Sequence, residues 1–291
     1  MLYDISLRIS YDYDNAADSS RHMVRLLPAD LPGEQRLIAG NLDIHPRPDE
    51  LTSGMDFFWN RFSQIAFLHT HEDIDFNMHA RVERYEQSTP LDISPPLERI
   101  GSDIRAQMNL GPLAPHHFLG PSPRVPQSLA TAAFAHEHLS GRQTVFSAVR
   151  TIGEILNKEL AYDPEATLVD TPMDDAFAAR RGVCQDFSHI MISCLRSVGI
   201  PAGYVSGFLR TVPPPGQPRM EGADAMHAWV RAWCGADMGW IEYDPTNAAD
   251  VGTDHIVVAR GRDYSDIAPV RGQMRIYGDH KTTQSVDVLP L

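Results

Sequence analysis

Three side chains in this sequence are of types, and at places, that suit acyl chemistry: a cysteine at a helix start, a histidine on a strand and an aspartate on the following strand. The segment Gly182-Val183-Cys184-Gln185-Asp186-Phe187 leads into an amphipathic run with apolar residues at Phe187, Ile190, Met191, Cys194, Leu195 and Val198, the spacing of one helix face. Gly199 and Pro201 close the helix. Cys184 stands three residues before Phe187 and shares its face. A thiol in the first turn meets unpaired backbone donors and the positive end of the helix dipole, and both favour thiolate over thiol. Its own N–H is free to stabilise a developing oxyanion. Cys194, in the middle of the apolar stripe, reads as a small buried side chain. Gln185, which projects away from its neighbour, reads as packing or capping.

The base and its orienter come from a hairpin. Met226 to Trp233 and Gly239 to Asp244 flank the polar segment Cys234-Gly235-Ala236-Asp237, as two antiparallel strands flank a turn. With that segment at the tip, Trp233 faces Met238, Arg231 faces Trp240, Trp229 faces Glu242, and His227 faces Asp244. Directly opposite residues share a sheet face, with Cβ atoms about 5 Å apart, so the imidazole meets a carboxylate across the ladder. A slip of one residue would separate them onto opposite faces. Pro245 ends the second strand because it cannot donate to a ladder. Trp229 shares the face of His227 and is a candidate for lining the acyl groove, with a place in the core as the alternative.

The elements that hold these residues fall into two compositional halves. From the start, Tyr3, Ile5, Leu7, Ile9 and Tyr11 alternate with Asp4, Ser6, Arg8, Ser10 and Asp12, the period of a half-buried strand. Short apolar runs at 22–27, 36–44, 57–68 and 76–85, separated by Pro, Gly, Asn and Asp clusters, extend this to an all-β domain over 1–90. Residues 91–125 are rich in Pro and Gly and predict a segment crossing the surface, with no long helix. After Pro126 the period turns helical, then strands recur at 203–209, 226–233, 240–244 and 255–259, so 126–291 reads as an α+β catalytic domain. The run from Thr211 to Ala223, with Pro213-Pro214-Pro215, is expected to be either a rim over the groove or a plain surface loop.

The composition narrows the function. The chain has 291 residues, enough for two domains, and a formal net charge of -13; that charge disfavours nucleic-acid binding, which needs clustered Lys and Arg. Three cysteines are too few for a disulfide framework. No segment approaches the roughly 18 apolar residues of a membrane span, and Met1 to Ile5 lack the basic-then-apolar pattern of a signal peptide, so the expectation is a cytoplasmic protein. The histidines at His69 and His71, His116 and His117, and His136 and His138 lack the helical i, i+4 spacing of a zinc protease motif, and no metal site is expected from them.

The string from Arg181 to Phe187, then Gly199-Ile200-Pro201-Ala202-Gly203-Tyr204-Val205-Ser206-Gly207, His227-Ala228-Trp229-Val230 and Trp240 to Asn247 resembles the bacterial transglutaminase-like proteins. Gly261-Arg262-Asp263-Tyr264 and Pro269-Val270-Arg271-Gly272 are similar to that family's C-terminal signature, and the β-rich start resembles its accessory N-terminal domain. The resemblance implies a papain-like fold with a nucleophile helix on an antiparallel sheet, a triad of Cys184, His227 and Asp244, no cofactor, and a protein or peptide substrate. It leaves open transglutaminase, peptidase or amidase, which share a thioester intermediate. A catalytically silent binding module on the same fold and a metal-dependent hydrolase are the rival readings.

Overall fold

The computed structural model describes residues 1–87, 91–211, 222, 224–275 and 277–291. The expected rim from Thr211 to Ala223 therefore falls almost wholly outside the described residues. The first strands are β1 (Leu2–Ala17), β2 (Ser19–Val24), β3 (Gln35–His45), β4 (Glu50–Met55), β5 (Arg61–Phe67) and β6 (His71–Arg84). Tyr3, Ile5, Leu7 and Ile9 of β1 are all buried, so the two-residue period does set the core face there.

Past the crossing segment, which holds the short helix α1 (Ile100–Ala106) and 3-10 turns at Leu97–Arg99 and Pro115–Phe118, come α2 (Leu129–His138), α3 (Val145–Glu159), β7 (Ala161–Tyr162), α4 (Met173–Ala179), β8 (Arg181–Gly182) and α5 (Cys184–Ser197). The strands β9 (Ala202–Leu209), β10 (Ala225–Trp233), β11 (Trp240–Asp244), β12 (Ala249–Asp250) and β13 (His255–Gly261) then form one antiparallel sheet in the order β12-β11-β10-β9-β13. Helix α5 packs on β9 and β10 and is itself flanked by α2, α3 and α4. Ile190, Met191, Cys194 and Leu195 are sealed from solvent in that layer.

The chain ends with α6 (Tyr264–Ile267), β14 (Val270–Arg275) and β15 (His280–Pro290). Both strands return to the first half: β15 pairs with β1 and β14 with β2, which completes two four-stranded sheets, β15-β1-β6-β3 and β14-β2-β5-β4. By strand pairing, then, the stretch expected as a single unit over 126–291 gives up its last two strands to the β-rich half. Val286 and Val288 are buried there, and the pairing with β15 satisfies the backbone groups on the side of β1 that β6 leaves open.

The two halves are fastened at β13, an edge of the second sheet. Gln35 donates from Nε2 to the Val257 carbonyl at 2.8 Å and accepts from the Val257 N–H at 2.9 Å. Asn60 repeats the pattern at Arg260, donating to its carbonyl at 2.8 Å and accepting from its N–H at 2.7 Å. Two side-chain amides thus satisfy backbone groups that an unpaired edge strand would leave open.

Candidate active site

Cys184 is the first residue of α5. The helix start is fixed by Asp186, whose Oδ2 accepts from the Val183 N–H at 2.8 Å and from Thr167 Oγ1 at 2.6 Å, a carboxylate at the third helical position satisfying a donor ahead of the helix. Gln185 donates to the Val169 carbonyl at 2.9 Å; it ties the preceding loop to the helix, in keeping with a packing or capping role.

Strand β10 brings His227. The register differs from the sequence expectation: Trp233 pairs with Trp240, Arg231 with Glu242 and Val230 with Tyr243. The turn is wider by two residues, because Met238 and Gly239 lie in it and Gly235 and Gly239 adopt φ of 96° and 72°, conformations that favour glycine. A two-residue shift preserves parity, so His227 and Asp244 still share a face, but as diagonal and not direct neighbours. The contact forms across that diagonal, with His227 Nε2 donating to Asp244 Oδ2 at 2.7 Å.

Asp244 is fully buried and takes four more hydrogen bonds. Oδ2 accepts from Asn247 Nδ2 at 2.7 Å and from His255 Nε2 at 3.1 Å, and Oδ1 from the N–H groups of Thr246 and Asn247 at 2.9 and 3.3 Å. Burial pushes the carboxyl pKa up, but the bonds from His227 and His255 outweigh it and hold the group well below the usual carboxylate range. For His227 burial works against the charged ring; the hydrogen bonds to Asp244 and to Cys184 outweigh it and raise its pKa to about 10. With Nε2 committed to Asp244, Nδ1 is the ring nitrogen left for the thiol.

His255 was not singled out in the sequence. Its Nδ1 accepts from the Gly252 N–H at 3.4 Å, so Nε2 carries the hydrogen that Asp244 receives, and the tautomer is set by the backbone. His227, Asp244 and His255 offer three facing ligand atoms within 4.8 Å and are the one such group among the described residues that could hold a metal ion. The histidines weighed for metal in the sequence are elsewhere: His71 contacts Ser20 at 3.0 Å, His69 contacts Asp49 at 2.8 Å and His117 contacts the Leu110 carbonyl at 2.9 Å. In the structure both histidines donate from Nε2 to Asp244 Oδ2, the arrangement of an oriented base.

Trp229 does not line a groove. It is 0% exposed, lies beside the His227 ring with centroids 6.2 Å apart, and donates from Nε1 to Glu242 Oε2 at 2.9 Å. Gly207 makes its place, since a Cβ there would come within 2.5 Å of the indole. The aromatic that does stand in the open near the thiol is Tyr162, 59% exposed. It pairs with Gly182, two residues ahead of Cys184; burial first, then the charge of Cys184, raises its hydroxyl pKa. Its position follows from a two-residue parallel pairing that has no local sequence signal.

The C-terminal signature residues brace the nucleophile helix. Asp263 caps α6 through the Ser265 N–H at 2.8 Å and accepts from the Arg124 N–H at 2.7 Å, and the Tyr264 N–H donates to His189 Nε2 on α5 at 3.3 Å. His189 is pressed down to about 3 by burial, so it accepts as a neutral ring.

Comparison with known proteins agrees with this architecture. The transglutaminase-like superfamily core matches residues 132–245, and the bacterial transglutaminase-like N-terminal region matches residues 3–83. An uncharacterised protein of Mycobacterium tuberculosis is 32% identical over 293 residues, covering 99% of this chain and 92% of the relative. The chain belongs to the transglutaminase-like superfamily. A further uncharacterised protein, from Mycobacterium leprae, is 41% identical over 134 residues, covering 45% of this chain and 44% of its own. The crystal structure of a candidate cysteine protease from Cytophaga hutchinsonii aligns with a TM-score of 0.74 at 22% identity, covering 99% of this chain and 90% of that one; at that identity it speaks for the fold. Among the described residues no helix is long and apolar enough to cross a membrane.

Proposed function

We propose that this member of the superfamily is a cysteine-dependent acyl-transfer enzyme acting on amide or peptide bonds of protein or peptide substrates. The observation that carries the reading is the placement of His227 between the carboxylate of Asp244, 2.7 Å away, and Cys184 at the first position of α5. In this reading the Cys184 proton passes to His227 and the thiolate attacks the substrate carbonyl carbon. The oxyanion forms beside the free N–H groups at the start of α5. The C–N bond breaks as the imidazolium protonates the leaving amine, leaving a thioester. Water or a second amine then attacks, His227 takes its proton, and the thiolate leaves. Asp244 keeps the imidazole in the productive tautomer and stabilises its charge. All three cysteines are free, which suits a reducing compartment, and we place the protein in the cytoplasm.

Intact-protein mass spectrometry during turnover of a glutamine-containing peptide ester tests this. An acyl adduct on the wild type that vanishes in Cys184→Ala, and that partitions to product when a primary amine is added, supports transfer; partition to water alone supports hydrolysis. An adduct on Cys194 or Cys234, or activity retained by Cys184→Ala, refutes the assignment.

A further inference from the structure

Four residues along β10 from His227, on the same sheet face, stands Arg231. Its side chain is 4% exposed, its guanidinium carbon lies 4.2 Å from the centre of the Trp240 ring, and its Nε has no hydrogen-bond partner among the described residues. Arg231 lines a cavity of about 440 Å³ together with Glu34, Arg84, Glu242 and Arg260. The other charges in that wall are matched. Arg260 bridges Glu34 and Glu242, at 2.5 and 2.6 Å, and Arg84 lies 3.9 Å from the Glu34 carboxylate and donates to its main-chain carbonyl at 3.2 Å. Among the described residues Arg231 alone of the three arginines has neither an ion pair nor a hydrogen bond. Burial first, then the neighbouring charge of Arg260, pushes its pKa down to about 9, the signature of a cation short of a counter-charge. The nearest counter-charge, Glu242, stands opposite it on the ladder but is already bridged by Arg260, and a buried cation that shares its counter-ion in this way is costly.

The remaining walls state what would sit there. Phe146, Met238, Trp240, Ile241 and Val251 are apolar, and the carboxylates of Glu34, Glu242 and Asp250, the last paired with Arg150 at 3.7 Å, oppose any second negative charge. We propose that this cavity is a binding site for a small organic anion with a single carboxylate on an apolar body, the carboxylate pairing with Arg231 and the body lying against Phe146, Met238 and Val251. The volume is in the range of small-ligand pockets, and a planar carboxylate suits the guanidinium fork. The site is distinct from the Cys184 centre, because none of Cys184, His227 and Asp244 lines it and the buried Trp229 stands between His227 and Glu242, so it stands or falls independently of the acyl-transfer reading.

Titration calorimetry of the full chain with phenylacetate tests the proposal, with its neutral amide phenylacetamide and inorganic phosphate as the other arms. The expected result is saturable binding of phenylacetate at least tenfold tighter than of either comparison compound. Arg231→Met, which replaces a buried ion by an apolar chain of similar length, should fold and lose at least tenfold in affinity. Should that variant fail to fold, diffraction from wild-type crystals soaked in 4-bromophenylacetate supplies the decision, with the bromine expected among Phe146, Met238 and Val251. Equal binding of the amide or of phosphate, unchanged affinity in a folded Arg231→Met, or bromine found outside the cavity overturns the proposal.

Discussion

Replacing Asp244 by Asn separates the orienting role of this residue from its bulk. Oδ2 receives three donors, from His227, Asn247 and His255, and Oδ1 receives two backbone N–H groups. An asparagine has one oxygen to offer. If that oxygen serves the backbone pair, its NH2 group confronts three donors, and the cheapest relief is for His227 to turn Nε2 into an acceptor and move its proton to Nδ1. The ring then presents N–H to Cys184 and cannot take the thiol proton. The equivalent exchange in serine protease triads costs about 10^4 in kcat, and we expect a loss of similar order. At pH 6 an ordinary thiol is about 0.3% ionised, so the rate constant for iodoacetamide alkylation of Cys184 should fall by about 10^2 to 10^3, with the gap closing as pH rises toward 9. His255 cannot escape the same way, because the Gly252 N–H holds its Nδ1. It and Asn247 are left as buried donors without acceptors, at about 1–3 kcal/mol each, so Tm should drop by roughly 5–20 °C, and rates belong below that range. An alkylation loss under tenfold at pH 6, with Tm unchanged, would refute the tautomer argument.

His227 is raised to about 10, above the ordinary histidine value near 6.5. Its stabilising contribution is therefore complete below about pH 6.5 and lost as pH rises through 10, so wild-type Tm should fall by roughly 5–10 °C more than that of His227→Gln between pH 7 and 10; parallel curves would contradict this. His255→Ala removes one donor from Asp244 and should lower kcat about 5- to 50-fold, with His255→Gln, able to donate from its amide, recovering part of the loss; no difference between the two would indicate bulk packing. Tyr162→Ala, beside the thiol and exposed, should raise KM several-fold while leaving the alkylation rate within twofold, and a fall in both would assign Tyr162 to the chemistry instead.

How much of this was legible in the sequence depended on whether the signal was a parity, a length or a long-range partner. The nucleophile helix and the shared face of His227 and Asp244 rest on the 3.6 and 2.0 periods, which survive errors in turn length. The exact opposition did not survive, because two glycines in positive-φ conformations widened the turn from four residues to six, and Gly239 at the start of a strand-like run gave no sign of it. Trp229 had the right parity for a groove wall, yet the face it occupies is roofed by Ala29 and Leu31, residues whose position depends on how the first half docks. His255 and the pairing of β14 and β15 with the N-terminal sheets share that origin: each is set by a partner distant in sequence.

The same long-range docking links the two ends of the molecule's chemistry. From His227 the contacts run through the Trp229 ring to Glu242, on to Arg260, and from there to Glu34 and Arg84 of the β-rich half. The steps through Glu242 join mostly buried side chains, where removing one partner strands the other in a poor solvent, whereas those to Glu34 end on a carboxylate that is partly open to water. Glu242 is the hinge of that chain. Alignment by parity alone makes Glu242→Gln look like a mild control for Asp244→Asn, because it does not touch the base. The structure makes it a stability variant: Arg260 loses one of its two carboxylates while remaining buried. Its expected signature is the inverse of the Asp244 change, a large fall in Tm with alkylation of Cys184 at pH 6 retained in the folded fraction. That contrast distinguishes a residue that orients the base from one that holds up the wall behind it.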